Sequence, residues 1–270
     1  MIPGRYLSFE QVAADYDQTR VIPGPQLEEI ARILAREAHL ERGGLFLDAG
    51  VGTGRFAAPL AQRFPTQTIG VDIAPAMMRH VQTKAPSGSL SLAQADLQQM
   101  PFRHGVFAGA LLVHILHLIE DWKVVLRELH RVLLPHSGIL FLGGEQGSRS
   151  LLVDFYYQRA RARQVLTPSL GTVGIAQTLA FLRRPERDGG AGAHVTLLET
   201  SNLVWQRTLP IAQTLDALER RTYSQMWDIP DEAHQELLLE TRHYAAQTFP
   251  RSNAAEALRS RFALHKVWWP

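Results

Sequence analysis

At 270 residues, 46% hydrophobic and 20% charged, the chain is long enough for a sizeable core and has the balance of an ordinary globular protein. It contains no cysteine, which excludes disulfides, thiolate metal sites and a cysteine nucleophile. Net charge is only +2 although the pI is near 9.1, and the short arginine clusters (Arg159, Arg161, Arg163; Arg183-Arg184) sit among acids and apolar residues, which argues against a nucleic-acid partner.

No apolar run approaches the roughly 20 residues that span a bilayer. The opening Met1 to Glu10 lacks the regions of a signal peptide, so a cytoplasmic protein is the expectation. Phe9, Val12, Ala13 and Tyr16 recur at helical spacing and predict a small amphipathic helix over Phe9 to Arg20. Pro25 to His39 is a stronger helix, with Leu27, Ile30, Ala31, Leu34 and Ala38 on one stripe and Gly43-Gly44 beyond its end.

The stretch from Gly43 to Phe56 organises the rest of the chain. Leu45-Phe46-Leu47 runs into an acid, Asp48, and Gly50, Gly52 and Gly54 then stand at every second position before a helical pattern opens at Arg55. A strand, a glycine loop and a helix start in that order bring backbone N–H groups to face a ligand. The dinucleotide fingerprint G-x-G-x-x-G/A fails from Gly50, where Arg55 is sixth, and holds only in relaxed form from Gly52, where Ala57 is sixth. The longer match is D-x-G-x-G-x-G, Asp48 to Gly54.

Downstream, Thr68 to Asp72 is a short strand ending in an acid 22 residues beyond Gly50, near the distance at which such folds place a ribose-binding carboxylate. Asp72 alternatively caps the helix that starts near Pro75. Leu90 and Leu92 alternate with polar residues before Ala95-Asp96-Leu97 turns out of a third strand. Val106 to His117 is a fourth strand and its exit, with Val113, His114 and His117 at the carboxyl end, where open α/β sheets bind ligands. Next in the chain are a helix over Trp122 to Leu134, a fifth strand Ile139 to Leu142, and Gly143-Gly144-Glu145. Beyond them come helices over Leu151 to Leu166 and Ile175 to Leu182, a flexible connector Arg187 to Gly192, and a strand within Val195 to Leu209. Helices over Ile211 to Thr222 and Asp231 to Phe249 precede a last strand, Arg261 to Trp269.

The Asp48 to Gly54 motif resembles the first motif of the class I S-adenosylmethionine (SAM)-dependent methyltransferases, and Val113 to Trp122 resembles that family's V-x-x-x-H-x-x-x-D-W segment, in the manner of its ubiquinone/menaquinone-biosynthesis members. The resemblance implies an α/β three-layer Rossmann-like fold with a mostly parallel seven-stranded sheet, the last strand antiparallel beside the fifth. Residues 1–270 would form a single domain, with N-terminal helices in 1–42 covering the cofactor site and a helical lid insertion at 146–194. It further implies SAM as cofactor and S-adenosylhomocysteine as product, with no metal. Asp48, Gly50, Gly52 and Gly54 would receive the methionine part, Asp72 and Ile73 the ribose, Met77, Asp96 and Leu97 the adenine, and Val113 and His114 would shape the pocket. Tyr16, Asp17 and Arg20 match an N-terminal Tyr-Asp…Arg pattern in which Tyr16 or Arg20 holds the cofactor's carboxylate. His117 and Glu145 are the candidates for acid/base work. Each has a plainer reading: a turn aspartate for Asp96, packed histidines, a surface glutamate.

The chain departs from the family at Phe107-Ala108, where Phe-Asp is common, and it lacks the Asn/Asp-Pro-Pro-Tyr/Phe signature of methyltransferases that act on nucleic-acid amino groups. The expected function is therefore methyl transfer to a small-molecule acceptor that the sequence does not identify. A SAM-binding protein without transfer activity is one rival. A nicotinamide-dependent oxidoreductase, kept open by the relaxed glycine match at Ala57, is the other.

Overall fold

The protein is described by a computed structural model covering Asp17 and residues 21–81, 84, 88–166, 171, 174–198, 201–251 and 253–270. The expected helix over Phe9 to Arg20, and with it Tyr16 and Arg20, lies outside the described residues except for Asp17. The chain divides into two compact units. The larger takes in Val21–Gly144, Ser169–Leu203 and Phe262–Pro270, and the smaller takes in Glu145–Pro168 and Val204–Arg261.

The larger unit starts with α1 (Gly24–Glu37), which has proline in its first turn and buries Ile30, Ala31, Ile33 and Leu34. It ends two residues before the expected His39 because His39 takes a left-handed conformation (φ 51°) and turns the chain. Then come β1 (Leu45–Ala49), α2 (Ala57–Arg63), β2 (Gln67–Asp72), α3 (Pro75–Arg79), β3 (Leu90–Gln94), β4 (Phe107–Val113), α4 (Trp122–Val132) and β5 (Ile139–Gly147). All four pairings among β1 to β5 are parallel. β4 is buried along almost its whole length, as expected of a strand covered on both faces. The core around it gathers Leu47, Val71, Phe107, Leu112, Trp122, Leu129 and Leu140, and Trp122 meets Phe181 edge-on at 5.4 Å.

The remaining elements are α5 (Leu151–Ala162), α6 (Ile175–Arg183), β6 (His194–Leu198), β7 (Val204–Pro210), α7 (Ile211–Glu219), α8 (Asp231–Thr248) and β8 (Ala255–Trp268). The sheet has eight strands, in the order β3-β2-β1-β4-β5-β8-β6 with β7 also on β8, and the last strand is antiparallel. Seven strands were expected. The difference arises within Val195 to Leu209, which is broken by a 3₁₀ turn at Ser201–Leu203 into β6 and β7. A fourteen-residue β8 makes this possible, since its second half pairs with β6 (His194 opposite Trp268) and its first half with β7 (Pro210 opposite Ala255). The stretch 146–194 is shared out: α5 belongs to the smaller unit and α6 to the larger. Among the described residues, no helix is long and apolar enough to cross a membrane.

In the smaller unit, α5, α7 and α8 close over Leu152, Tyr156, Leu218, Met226, Leu237 and Leu238. Glu240 of α8 bridges Arg159 of α5 and Arg163, the residue just past its end. The aromatic stretch Arg221 to Trp227 closes on itself: Arg221 holds the Ile229 carbonyl and Asp231, while the Trp227 indole N–H donates to the Arg221 carbonyl at 2.8 Å.

At the centre of this cluster, the Tyr156 hydroxyl and Nδ1 of His234 lie 2.7 Å apart, with His234 only 2% exposed. His234 Nε2 faces the Glu219 carbonyl, which only accepts, so Nε2 carries the hydrogen and Nδ1 accepts from Tyr156. Burial, reinforced by Arg221, pushes the His234 pKa below its ordinary value against the opposing pull of Asp231 and Glu219. Below about pH 6.5 the unfolded chain protonates this histidine before the folded one does, so its contribution to stability falls as pH drops toward the lowered folded pKa. The expected slope is at most about 1.4 kcal/mol per pH unit. Melting curves of the parent and of His234→Gln across that window should differ by such a slope. Parallel curves would show that His234 is not held neutral.

Candidate functional site

The carboxyl ends of β1 to β4 converge on one edge of the larger unit, and the acids are placed there by the strands that precede them. Asp48 is the fourth residue of β1 and is 3% exposed. Burial pushes its carboxyl up to about 7 against the Ala57 N–H that holds it down, and nearby Asp72 adds to the rise. Its Oδ2 has no hydrogen-bond partner among the described residues.

Beyond β1 the chain takes positive φ at Gly50 (80°), Gly52 (52°) and Gly54 (78°), which is the reason three glycines are needed at this spacing. The N–H groups of Gly50 and Val51 both donate to the Val71 carbonyl, at 2.8 and 2.9 Å, and this pins the start of the loop to β2. Lys84 Nζ donates to the Thr53 carbonyl at 2.9 Å and holds its far side. A side chain at Gly50 would strike Ile115, whose Cδ1 lies 2.4 Å from where the Cβ would be.

Asp72 ends β2 and braces the loop directly. Its Oδ2 accepts from the Gly52 N–H at 2.8 Å and its Oδ1 from the Ala74 N–H at 2.9 Å. Burial raises its pKa, while the N–H groups of Ala74, Gly52 and Ile73 oppose the rise. The capping and ligand-binding readings of Asp72 are thus compatible. Each oxygen spends one lone pair on backbone and keeps another for a vicinal diol. Ile73 turns its carbonyl to Gln94 Nε2. Met77 is 3% exposed, and its Cε lies 3.4 Å from where a Cβ on Gly52 would be, so it supports the loop.

After β3, Asp96 forms a local turn in which Oδ1 accepts from the Gln98 N–H at 2.9 Å, leaving capacity on the carboxylate. Leu97 is 6% exposed and belongs to the main core. Val113 ends β4 against β5, and His114 comes next, exposed and in a left-handed conformation (φ 55°), an unusual state for a non-glycine residue. Its ring approaches Gly144, with Cε1 3.8 Å from where a Cβ there would lie. His117 is half-buried in the 3₁₀ turn Leu116–Leu118, and its carbonyl accepts from the Gly171 N–H at 3.2 Å. The larger unit therefore holds Asp48, the three glycines, Asp72, Ile73, Met77, Asp96, Leu97, Val113, His114 and His117, whereas Glu145 falls in the smaller unit. Ile115 and Lys84, which shape the glycine loop, carry no signal in the sequence. Both act through tertiary contacts that no local motif encodes.

The polar groups fit a SAM molecule: a buried carboxylate oxygen beneath the loop with no partner among the described residues, a loop of three glycines, and lone pairs to spare on Asp72 and Asp96.

Residues 47–142 match a family model described as a methyltransferase domain. The chain is 30% identical over 167 residues to the ubiquinone/menaquinone biosynthesis C-methyltransferase UbiE of Syntrophotalea carbinolica, covering 60% of this chain and 69% of that protein. It is 33% identical over 144 residues to the malonyl-[acyl-carrier protein] O-methyltransferase of Laribacter hongkongensis, covering 50% of this chain and 48% of that protein, so it spans about half that relative's length. Among solved structures, a putative type II methyltransferase from Anaeromyxobacter dehalogenans superposes with a TM-score of 0.58 at 18% identity, over 87% of this chain and 94% of that one, and shares the fold. With two thirds of a C-methyltransferase matched at that level, the chain belongs to the class I SAM-dependent methyltransferases, and SAM is its cofactor.

Proposed function

We propose that this methyltransferase acts on a small organic acceptor, with its cofactor gripped by the acid-ended strands of the larger unit. The observation that carries the cofactor assignment is Asp72, whose two oxygens organise the loop at Gly52 and the start of α3 while retaining lone pairs for a ribose diol. Asp96, beside Leu97, would accept from the adenine amino group. Gly50, Gly52 and Gly54 would let the methionine part approach the backbone, with the Asp48 carboxyl beneath it. Met77 and Ile73 hold the geometry of this rim, and Val113 and His114 line its end.

SAM supplies an already activated sulfonium methyl, so the chain's own task is to align the acceptor with it and to exclude water. His117 takes the acceptor's proton where one must leave, with Glu145 as the second candidate. A small organic acceptor group is supported by the names of the relatives, which act in ubiquinone/menaquinone biosynthesis or on malonyl-[acyl-carrier protein]. The absence of the nucleic-acid amino-methylation signature from the sequence points the same way.

Calorimetric titration with S-adenosylhomocysteine and, separately, NAD tests the first half. Binding of the former alone is expected. Incubation with methyl-labelled SAM and either demethylmenaquinone or malonyl thioesters tests the second, and label should enter one small organic product. Label taken up only by RNA would overturn the acceptor class.

A further inference from the structure

The smaller unit lies wholly outside the residues matched by the family model, and it carries a concentration of buried polar atoms that have no partner among the described residues. Of the seven buried side-chain atoms without a partner among the described residues, five are here: Arg163 Nη1, Trp205 Nε1, Arg207 Nε, Thr214 Oγ1 and Glu256 Oε2. Native folds rarely leave such atoms unpaired, because each is costly and an apolar residue of the same shape would fill the space without the cost.

Three of the five share one face of a strand pair. Residues two apart on a strand point the same way, so Trp205 and Arg207 on β7 project to one side. The antiparallel register sets Trp205 opposite Ser260, Arg207 opposite Leu258 and Leu209 opposite Glu256. Glu256 thus sits one diagonal step from Arg207 on that side. Burial agrees, since Trp205, Glu256 and Ser260 are each 7% exposed while the alternate residues Gln206, Ala257 and Arg259 face solvent. Glu256 is fixed in place, because Oε1 accepts from the Leu151 N–H at 2.6 Å at the start of α5. That leaves Oε2 unused beside an equally unused Arg207 Nε.

The face therefore presents an indole N–H, a cationic guanidinium N–H and a carboxylate oxygen, all removed from water. Two donors, one of them charged, match an organic oxyanion. The carboxylate oxygen matches a hydroxyl on the same molecule. We propose that the inner face of β7–β8 is a binding site for a small hydroxylated organic anion, whose carboxylate or enolate accepts from Arg207 and Trp205 and whose hydroxyl donates to Glu256. The site is independent of the cofactor assignment.

The test uses the full chain, with melting temperature as readout and S-adenosylhomocysteine binding measured in parallel. 4-Hydroxybenzoate and lactate serve as probes, with phenol as the control that lacks the carboxylate. At least one hydroxy acid should raise the parent's melting temperature and phenol should not. Arg207→Met should lose that response while itself melting at or above the parent's temperature, because a buried N–H without a partner among the described residues has been replaced by a side chain of similar length. Glu256→Gln, which keeps the bond to Leu151, should lose the preference for 4-hydroxybenzoate over benzoate. The proposal is overturned if neither acid shifts the parent, if phenol shifts it equally, if Arg207→Met retains the response, or if that variant melts more than about 4 °C below the parent, which would make Arg207 a structural residue. Unchanged S-adenosylhomocysteine binding in every variant separates these outcomes from a failure of the methyltransferase reading.

Discussion

Asp72→Ala is expected to lower affinity for S-adenosylhomocysteine about 100-fold while leaving the fold nearly as stable as before. Hydrogen bonds to a charged group are worth about 1.5–3 kcal/mol, so losing the pair to the ribose diol accounts for about one to two orders of magnitude. The bond to the Gly52 N–H goes at the same time, so the loop also loses its brace. Stability responds less, because burial already raises this carboxyl's pKa and removing it relieves a desolvation cost that offsets the lost bonds. Asp72→Asn should not rescue binding. Both oxygens accept from backbone N–H groups, at 2.8 and 2.9 Å, and an amide would turn its NH₂ against one of them. Calorimetry paired with thermal unfolding checks both halves. If affinity falls by less than about threefold in Asp72→Ala, the ribose is held elsewhere.

Gly50→Ala should be the most damaging single methyl that can be added to the glycine loop. The position has φ 80°, and the new Cβ would lie 2.4 and 2.5 Å from Ile115 Cδ1 and Cγ1. Left-handed backbone costs a non-glycine residue about 1–2 kcal/mol, and overpacking adds about 1–3 kcal/mol. Urea unfolding should register a loss of about 2–5 kcal/mol. A double-mutant cycle divides the two terms. Ile115→Ala removes the overlap but not the backbone strain, so the double variant should be more stable than the sum of the singles by about 1–3 kcal/mol. Strict additivity would mean that Ile115 does not close over the loop.

Much of the site was legible in the sequence, for a physical reason. The glycines at 50, 52 and 54 and the acids at 48, 72 and 96 are dictated by local backbone geometry and by strand ends, and strand ends show as apolar runs that stop at a polar residue. The parallel strands β1 to β4 fell where alternation and apolar runs placed them, whereas β5, expected to stop at Leu142, runs on through Glu145 to Gly147. What escaped depends on partners distant in sequence. Within Val195 to Leu209 the polar run Thr200-Ser201-Asn202 is a turn signal that the reading as one strand passed over, and which half of β8 each piece pairs with is set by residues far away in sequence. Arg207 was visible as a residue near the end of a strand, yet its lack of a partner emerges only when the opposite strand supplies Leu258 across from it. Glu145 looked equivalent to His117 as an acid/base candidate, but the two belong to different compact units.

The division of the chain also sets a timetable for its synthesis. β8 contributes Ala255 to Arg261 to the smaller unit and Phe262 to Trp268 to the larger, so neither unit has all its strands until β8 has been made. Early segments such as β1 to β5 must wait, with the edge of β5 unpaired, for a strand more than a hundred residues downstream of β5. Such long-range closure slows folding and keeps a sticky edge open meanwhile. One strand thus closes both units, and a chain lacking β8 would leave an edge open in each.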